Sequence, residues 1–149
     1  MKIAILGAGG VGGYYGGVLA RAGHQVSMLA RGAHLEALRE RGLEVRTPEE
    51  PFTVAVGAAD DPRELGENDL AIVAVKTYSL GEIAPAARIV AEAGAIVLPL
   101  LNGVDAADRL IEGGVPDERV LGGLTEISAV RTAPGVIEGR SQFQRGVVG

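Results

Sequence analysis

Along the chain the apolar residues gather in short unbroken runs rather than in long helical stripes. Lys2–Leu6 reads as a buried strand. A glycine-rich turn follows, then a helix to about Ala22, which Gly23 can stop in the left-handed conformation. Gln25–Leu29 is a second strand, so strand, turn, helix and strand fit into about 30 residues, the size of a βαβ unit. A polar helix is predicted near His34–Arg41, ending at Gly42. Leu43–Arg46 and Phe52–Val56 read as short strands around Thr47-Pro48-Glu49-Glu50-Pro51, a hairpin outside the βα repeat. Asp60-Asp61-Pro62 marks a turn, and Leu70–Val75 is a fully apolar strand leading to Lys76. A helix is expected over Ser79–Ala93 with a break at Pro85, because proline lacks the backbone donor. Ala95–Leu100 is another buried strand, just before Asn102-Gly103, and Asp105–Ile111 is a short helix. The last third turns to strands: Val120–Arg131, Val136–Glu138 and Phe143–Val148, with Pro134-Gly135 as a turn. The expected fold is therefore α/β, a Rossmann-like, doubly wound and mostly parallel sheet, with antiparallel strands in the C-terminal third. Residues 1–149 read as one domain. The abrupt end after a strand leads us to expect the first half of something larger.

Composition narrows this picture. Apolar residues make up 47% of the chain but aromatics only 3%, and tryptophan is absent, so the core must be Ala, Val, Leu and Ile. That suits a buried parallel sheet under helices. The net charge of −5 argues against bulk attraction to nucleic acid or anionic lipid. The absence of cysteine excludes disulfides, thiolate metal sites and cysteine nucleophiles. Two histidines, His24 and His34, are too few for a histidine-rich metal site, and none is expected. The uncharged run Ile3–Ala20 mimics a signal peptide or membrane span, but its seven glycines have a better explanation. A soluble cytoplasmic protein is expected.

That explanation is the fingerprint Gly7-Ala8-Gly9-Gly10-Val11-Gly12. Gly7 permits a tight turn, Gly9 lets backbone approach a phosphate, and Gly12 lets helix and strand pack closely. The helix N-terminus then offers free N–H groups to a pyrophosphate. The plainer reading, a flexible loop or a close-packed helix (Gly13, Gly16 and Gly17 also suit packing), explains less of the context. NAD-preferring domains usually carry Asp or Glu at the tip of the second strand. Here Ala30-Arg31-Gly32 stands instead. A guanidinium suits a 2′-phosphate, which favours NADP(H), against the plainer reading of a solvated arginine. Lys76 and Asn102 end two further strands, where ligands lie in open α/β sheets. The turn, Arg31, Lys76 and Asn102 should then converge on one crevice, although a strand-end lysine and an Asn-Gly turn occur without any ligand. His24 is expected in a loop and His34 exposed at a helix start. Ser128 lacks a nucleophile elbow, and Glu126 and Glu138 are spaced like strand surface residues.

With these residues placed, the sequence resembles the ketopantoate reductase family, the 2-dehydropantoate 2-reductases. The matching pieces are Gly7–Gly13, Arg31, Val75-Lys76-Thr77, Leu101-Asn102-Gly103, Gly122–Arg131 and Pro134-Gly135. The family commonly has Gln where Leu101 stands. The resemblance implies NADPH-dependent reduction of 2-dehydropantoate to pantoate, for pantothenate and coenzyme A synthesis. It implies a pyrophosphate on Gly7–Gly12, the 2′-phosphate on Arg31, Lys76 and Asn102 beside both cofactor and substrate, and Ala129 meeting the cofactor through its backbone. Family members carry a helical C-terminal domain with the lysine general acid and a substrate-holding carboxylate, and this chain is expected to represent the half without that domain. Catalytic residues are thus unassigned in this chain, and its expected partners are a small keto acid and, in a homo-oligomer, further copies of itself. Two alternatives stay open: a non-catalytic NAD(P)-binding regulatory module, and a related reductase of another 2-keto or 3-hydroxy acid.

Overall fold

A computed structural model describes residues 1–101, 104–140 and 145–148. Its first unit is the expected one: β1 (Lys2–Leu6), α1 (Gly10–Arg21) and β2 (Gln25–Leu29). The uncharged N-terminal run is therefore a strand, a turn and a helix, and no helix among the described residues is long and apolar enough to cross a membrane. Next come α2 (Gly32–Arg41), β3 (Leu43–Arg46), β4 (Phe52–Val54) and β5 (Gly57–Ala59). A one-turn 3-10 helix, Pro62–Leu65, is capped by the Asp61 carboxylate and leads to β6 (Leu70–Val73). After a second 3-10 turn, Thr77–Ser79, follow α3 (Leu80–Glu92), β7 (Ile96–Pro99) and α4 (Ala106–Glu112). The chain then runs through β8 (Gly123–Glu126), β9 (Ala129–Ala133), β10 (Val136–Gly139) and β11 (Arg145–Val148).

Five strands form one parallel sheet in the order β5-β2-β1-β6-β7. Alternate residues of β1 feed two cores, as the two-residue strand period requires. Ala4 and Leu6 pack with Leu80, Ala84, Ala87 and Val90 of α3, whereas Ile3 and Ile5 face the side covered by α1. A second sheet, β4-β3-β10-β9, lies beyond α1, and β8 pairs antiparallel with β11. The helix is thus sandwiched between two sheets, and its glycines make room for both. A Cβ on Gly17 would lie 2.4 Å from Val45 of β3, one on Gly13 would lie 2.5 Å from Ile137 of β10, and Gly16 faces Ile5 and Met28.

Several expectations need correction. Pro85 does not break α3, which runs through it. The lost bond would have gone to Gly81, and both residues are exposed, so water can serve the freed carbonyl while the opposite face of α3 stays buried. The helix expected near His34 starts at Gly32, and Val120–Arg131 is two strands in different sheets. The C-terminal strands are not purely antiparallel, because β10 runs parallel to β3. The three-residue strand β5 had no signature in Gly57-Ala58-Ala59, yet it forms the edge of the parallel sheet beside β2.

Candidate functional site

The strand order reverses direction at β1, whose neighbours are β2 on one side and β6 on the other. Ligands of open α/β sheets sit at this switch point, beyond the C-terminal strand ends. The glycine turn leaves β1 there. Gly7 holds φ +104°, and a Cβ on it would lie 2.7 Å from the Ala74 carbonyl oxygen at the end of β6. A Cβ on Gly12 would come within 1.9 Å of the Gly7 oxygen, so the first turn of α1 can fold back onto the loop only as glycine. Gly10 is restricted from the other side, with the Ala129 oxygen of β9 2.1 Å from a Cβ built there. At Gly9 nothing lies within 4 Å of such a Cβ, which would enter open space. No side chain caps α1 at Gly9 and its first turn has no acidic residue. Its leading N–H groups are left to an anion.

Two cavities flank this turn. The first, about 360 Å³, is lined by Gly7, Ala8 and Gly9 with Arg31, Asp60 and Arg131 among others. The second, about 320 Å³, is lined by Gly9, Gly10 and Val11 with Lys76, Thr125 and Ala129 among others. The predicted residues therefore divide between two lobes that share Gly7 and Gly9, with Gly10 in the second alone and Gly12 in neither. Arg31 belongs to one, Lys76 and Ala129 to the other. Asn102 lies outside the described residues, although Leu101 before it lines the second lobe. Thr125 is held there by Tyr15, whose hydroxyl lies 2.5 Å from the Thr125 hydroxyl.

His34 is not the exposed residue expected at a helix start. It is 4% exposed and bridges two backbone segments. The Gly135 N–H donates to Nδ1 at 2.9 Å, so the proton of the neutral ring sits on Nε2, which donates to the Ala8 carbonyl at 2.7 Å. Burial, then the positive charge of Arg131, hold its pKa below the usual imidazole value, against a smaller opposite effect of the Ala8 bond. The ring thus ties the glycine turn to the β9–β10 turn. Its sequence signal was a lone histidine after Arg31, which carries no information about a partner far along the chain. Arg131 and Asp60 were missed as well. Asp60 follows the unrecognised β5, and Arg131 reaches the lobe from the second sheet. His24 is partly buried with Nδ1 3.2 Å from the N-terminal amine, Ser128 is exposed, and Glu138 pairs with Arg140.

A parallel sheet in this order, with a glycine turn and a free helix N-terminus at its switch point, is the fold of nucleotide-binding dehydrogenases. Comparison with known proteins places it more closely. The family described as ketopantoate reductase PanE/ApbA matches residues 3–148, and this chain belongs to that family. The 2-dehydropantoate 2-reductase of Pyrococcus abyssi is 37% identical over 138 residues, which cover 93% of this chain and 44% of that protein. The crystal structure of 2-dehydropantoate 2-reductase from Geobacter metallireducens superposes with TM-score 0.90 at 33% identity, over 100% of this chain and 49% of the other. D-mandelate dehydrogenase with NADH and anilino(oxo)acetate superposes with TM-score 0.84 at 28% identity, over 99% and 47%. The chain spans a little under half the length of the curated relatives it matches.

Proposed function

We propose that this chain is the cofactor-binding half of an NADPH-dependent reductase that converts 2-dehydropantoate to pantoate. The observation that carries the reading is the pair of lobes joined at the glycine turn, with Arg31 in one and Lys76 in the other. The donor set fits a dinucleotide carrying a 2′-phosphate. Gly9 leaves space at the uncapped start of α1 for the pyrophosphate, and Arg31 has no hydrogen-bond or ion-pair partner for its guanidinium among the described residues. No carboxylate stands at the tip of β2, where an NAD-preferring domain would use one.

When bound, NADPH supplies the hydride to the ketone carbon while an acid delivers a proton to its oxygen. The residues of this chain bind and orient. Gly7–Gly12 hold the pyrophosphate, Arg31 the 2′-phosphate, and Lys76 and Ala129 border the lobe assigned to the reacting end. Asn102, from the following strand end, is assigned to the same end, where its amide can both donate and accept. The general acid is assigned to the other half, in line with the share of the relatives' length covered here. A missing general acid costs about 10²–10⁴-fold in rate. The chain alone should therefore bind NADPH but turn over 2-dehydropantoate poorly, and near-normal turnover would refute this division.

A second reading, a reductase of another 2-keto acid, is favoured by the likeness to D-mandelate dehydrogenase with NADH. Titration with NADPH and NADH separates the cofactor assignments. Arg31→Ala should weaken NADPH at least tenfold more than NADH, and equal losses would count against the 2′-phosphate role.

A further inference from the structure

The lobe lined by Arg31 is also lined by a second arginine, Arg131 on β9. Arg31 stands between β2 and α2, where it is the N-cap residue, whereas Arg131 lies on β9 of the second sheet, far away in sequence. They share one property that sets them apart. Every other arginine whose side chain is described has a carbonyl, carboxylate or ring partner. Neither Arg31 nor Arg131 has a side-chain partner among the described residues, although Asp60 and Glu82 line the same lobe.

The backbone that carries Arg131 is anchored, although the residue itself is exposed. Its hairpin, β9–β10, is anchored to the turn at Ala8 by the His34 bridge and to α2 by Arg41, which donates to the Pro134 carbonyl at 3.3 Å. The positive charge of Arg131 is felt at His34, which lines the same lobe.

A phosphate monoester carries about −1.5 to −2 charges near neutral pH, more than one guanidinium neutralises. Arginine is the side chain best shaped to bond such a group through two N–H donors. We propose that Arg131 is a second ligand of the cofactor's 2′-phosphate, closing on it opposite Arg31, and that the pair sets the preference for NADP(H) over NAD(H). The inference rests on the cofactor reading above and adds a residue to it.

The test is titration of the whole chain with NADPH and with NADH, in the wild type, Arg31→Ala, Arg131→Ala, Arg131→Lys and the double alanine variant. A thermal melt of each confirms folding. The expected result is a wild-type preference for NADPH that drops about tenfold in Arg131→Ala, with NADH affinity changed less than twofold. Arg131→Lys should recover part of it, and the double variant should lose nearly all preference. If Arg131→Ala leaves the NADPH-to-NADH ratio intact while Arg31→Ala collapses it, the second ligand is refuted and the cofactor reading stands. Equal weakening of both cofactors would refute it too, since Arg131 would then act on a part they share. A wild type without preference for NADPH would overturn the cofactor reading itself, and this inference with it.

Discussion

Replacing His34 by leucine removes the bridge between the glycine turn and the β9–β10 turn at nearly constant size. The Gly135 N–H and the Ala8 carbonyl each lose a short bond to a side chain whose residue is 4% exposed. Leaving a buried backbone group unsatisfied costs about 1–3 kcal/mol, so two cost about 2–6 kcal/mol, partly offset by no longer burying an imidazole. We expect a net loss of about 2–4 kcal/mol at pH 8 on the same grounds. The pH dependence supplies the sharper test. In the unfolded chain the imidazole takes a proton near pH 6.5. In the folded chain its pKa is lower, because burial and Arg131 oppose the charge and Nδ1 is already accepting from Gly135. Below about pH 6.5 the unfolded state therefore binds the extra proton, and wild-type stability falls by up to about 1.4 kcal/mol per pH unit until the folded-state pKa is passed. The leucine variant lacks this group, so its deficit should stay flat from pH 8 to about pH 7 and shrink below about pH 6.5. Urea denaturation followed by far-ultraviolet circular dichroism suits a chain without tryptophan. A deficit independent of pH, or a leucine variant as stable as wild type at pH 8, would refute the bridging role.

The glycines of the turn should separate folding from binding. Gly9→Ala places its methyl in open space at φ −83°, so stability should change by less than about 1 kcal/mol while NADPH affinity falls at least tenfold; unaltered affinity would put the pyrophosphate elsewhere. Gly12→Ala drives a methyl to 1.9 Å from the Gly7 oxygen and should cost more than about 2 kcal/mol in a denaturant melt, an outcome that a neutral variant would contradict. Tyr15→Phe removes one hydroxyl contact to Thr125 and should cost about 1 kcal/mol by the same measurement, with cofactor affinity nearly unchanged. In a protein where this chain is completed by the other half, Lys76→Ala should lower kcat more than it weakens NADPH binding; a change in cofactor affinity alone would favour a regulatory binding module.

What the sequence determined by itself was local. Strand, glycine turn, helix and strand follow within one short stretch of chain, and the hydrophobic period, the glycine spacing and Gly23 speak directly of β1, α1 and β2. The strands β6 and β7 were legible as apolar runs, and with them the end of the crevice marked by Lys76. The identity of the turn and the place of Arg31 at the tip of β2 needed nothing beyond this unit. Tertiary structure decided everything that depends on two distant segments meeting. His34 and Gly135 share no local pattern, so a residue expected in solvent is a buried bridge. Asp60 enters the site only because three weakly patterned residues pair with β2, and Arg131 only because a second sheet packs across α1. Pro85 shows the same limit from the other side: propensity asked for a break, and burial of the α3 face against the parallel sheet, with the unpaired carbonyl left near water, kept the helix whole. Local signals report the energy of a few neighbouring residues, whereas the sides of this site are held by contacts between segments that only the folded chain brings together.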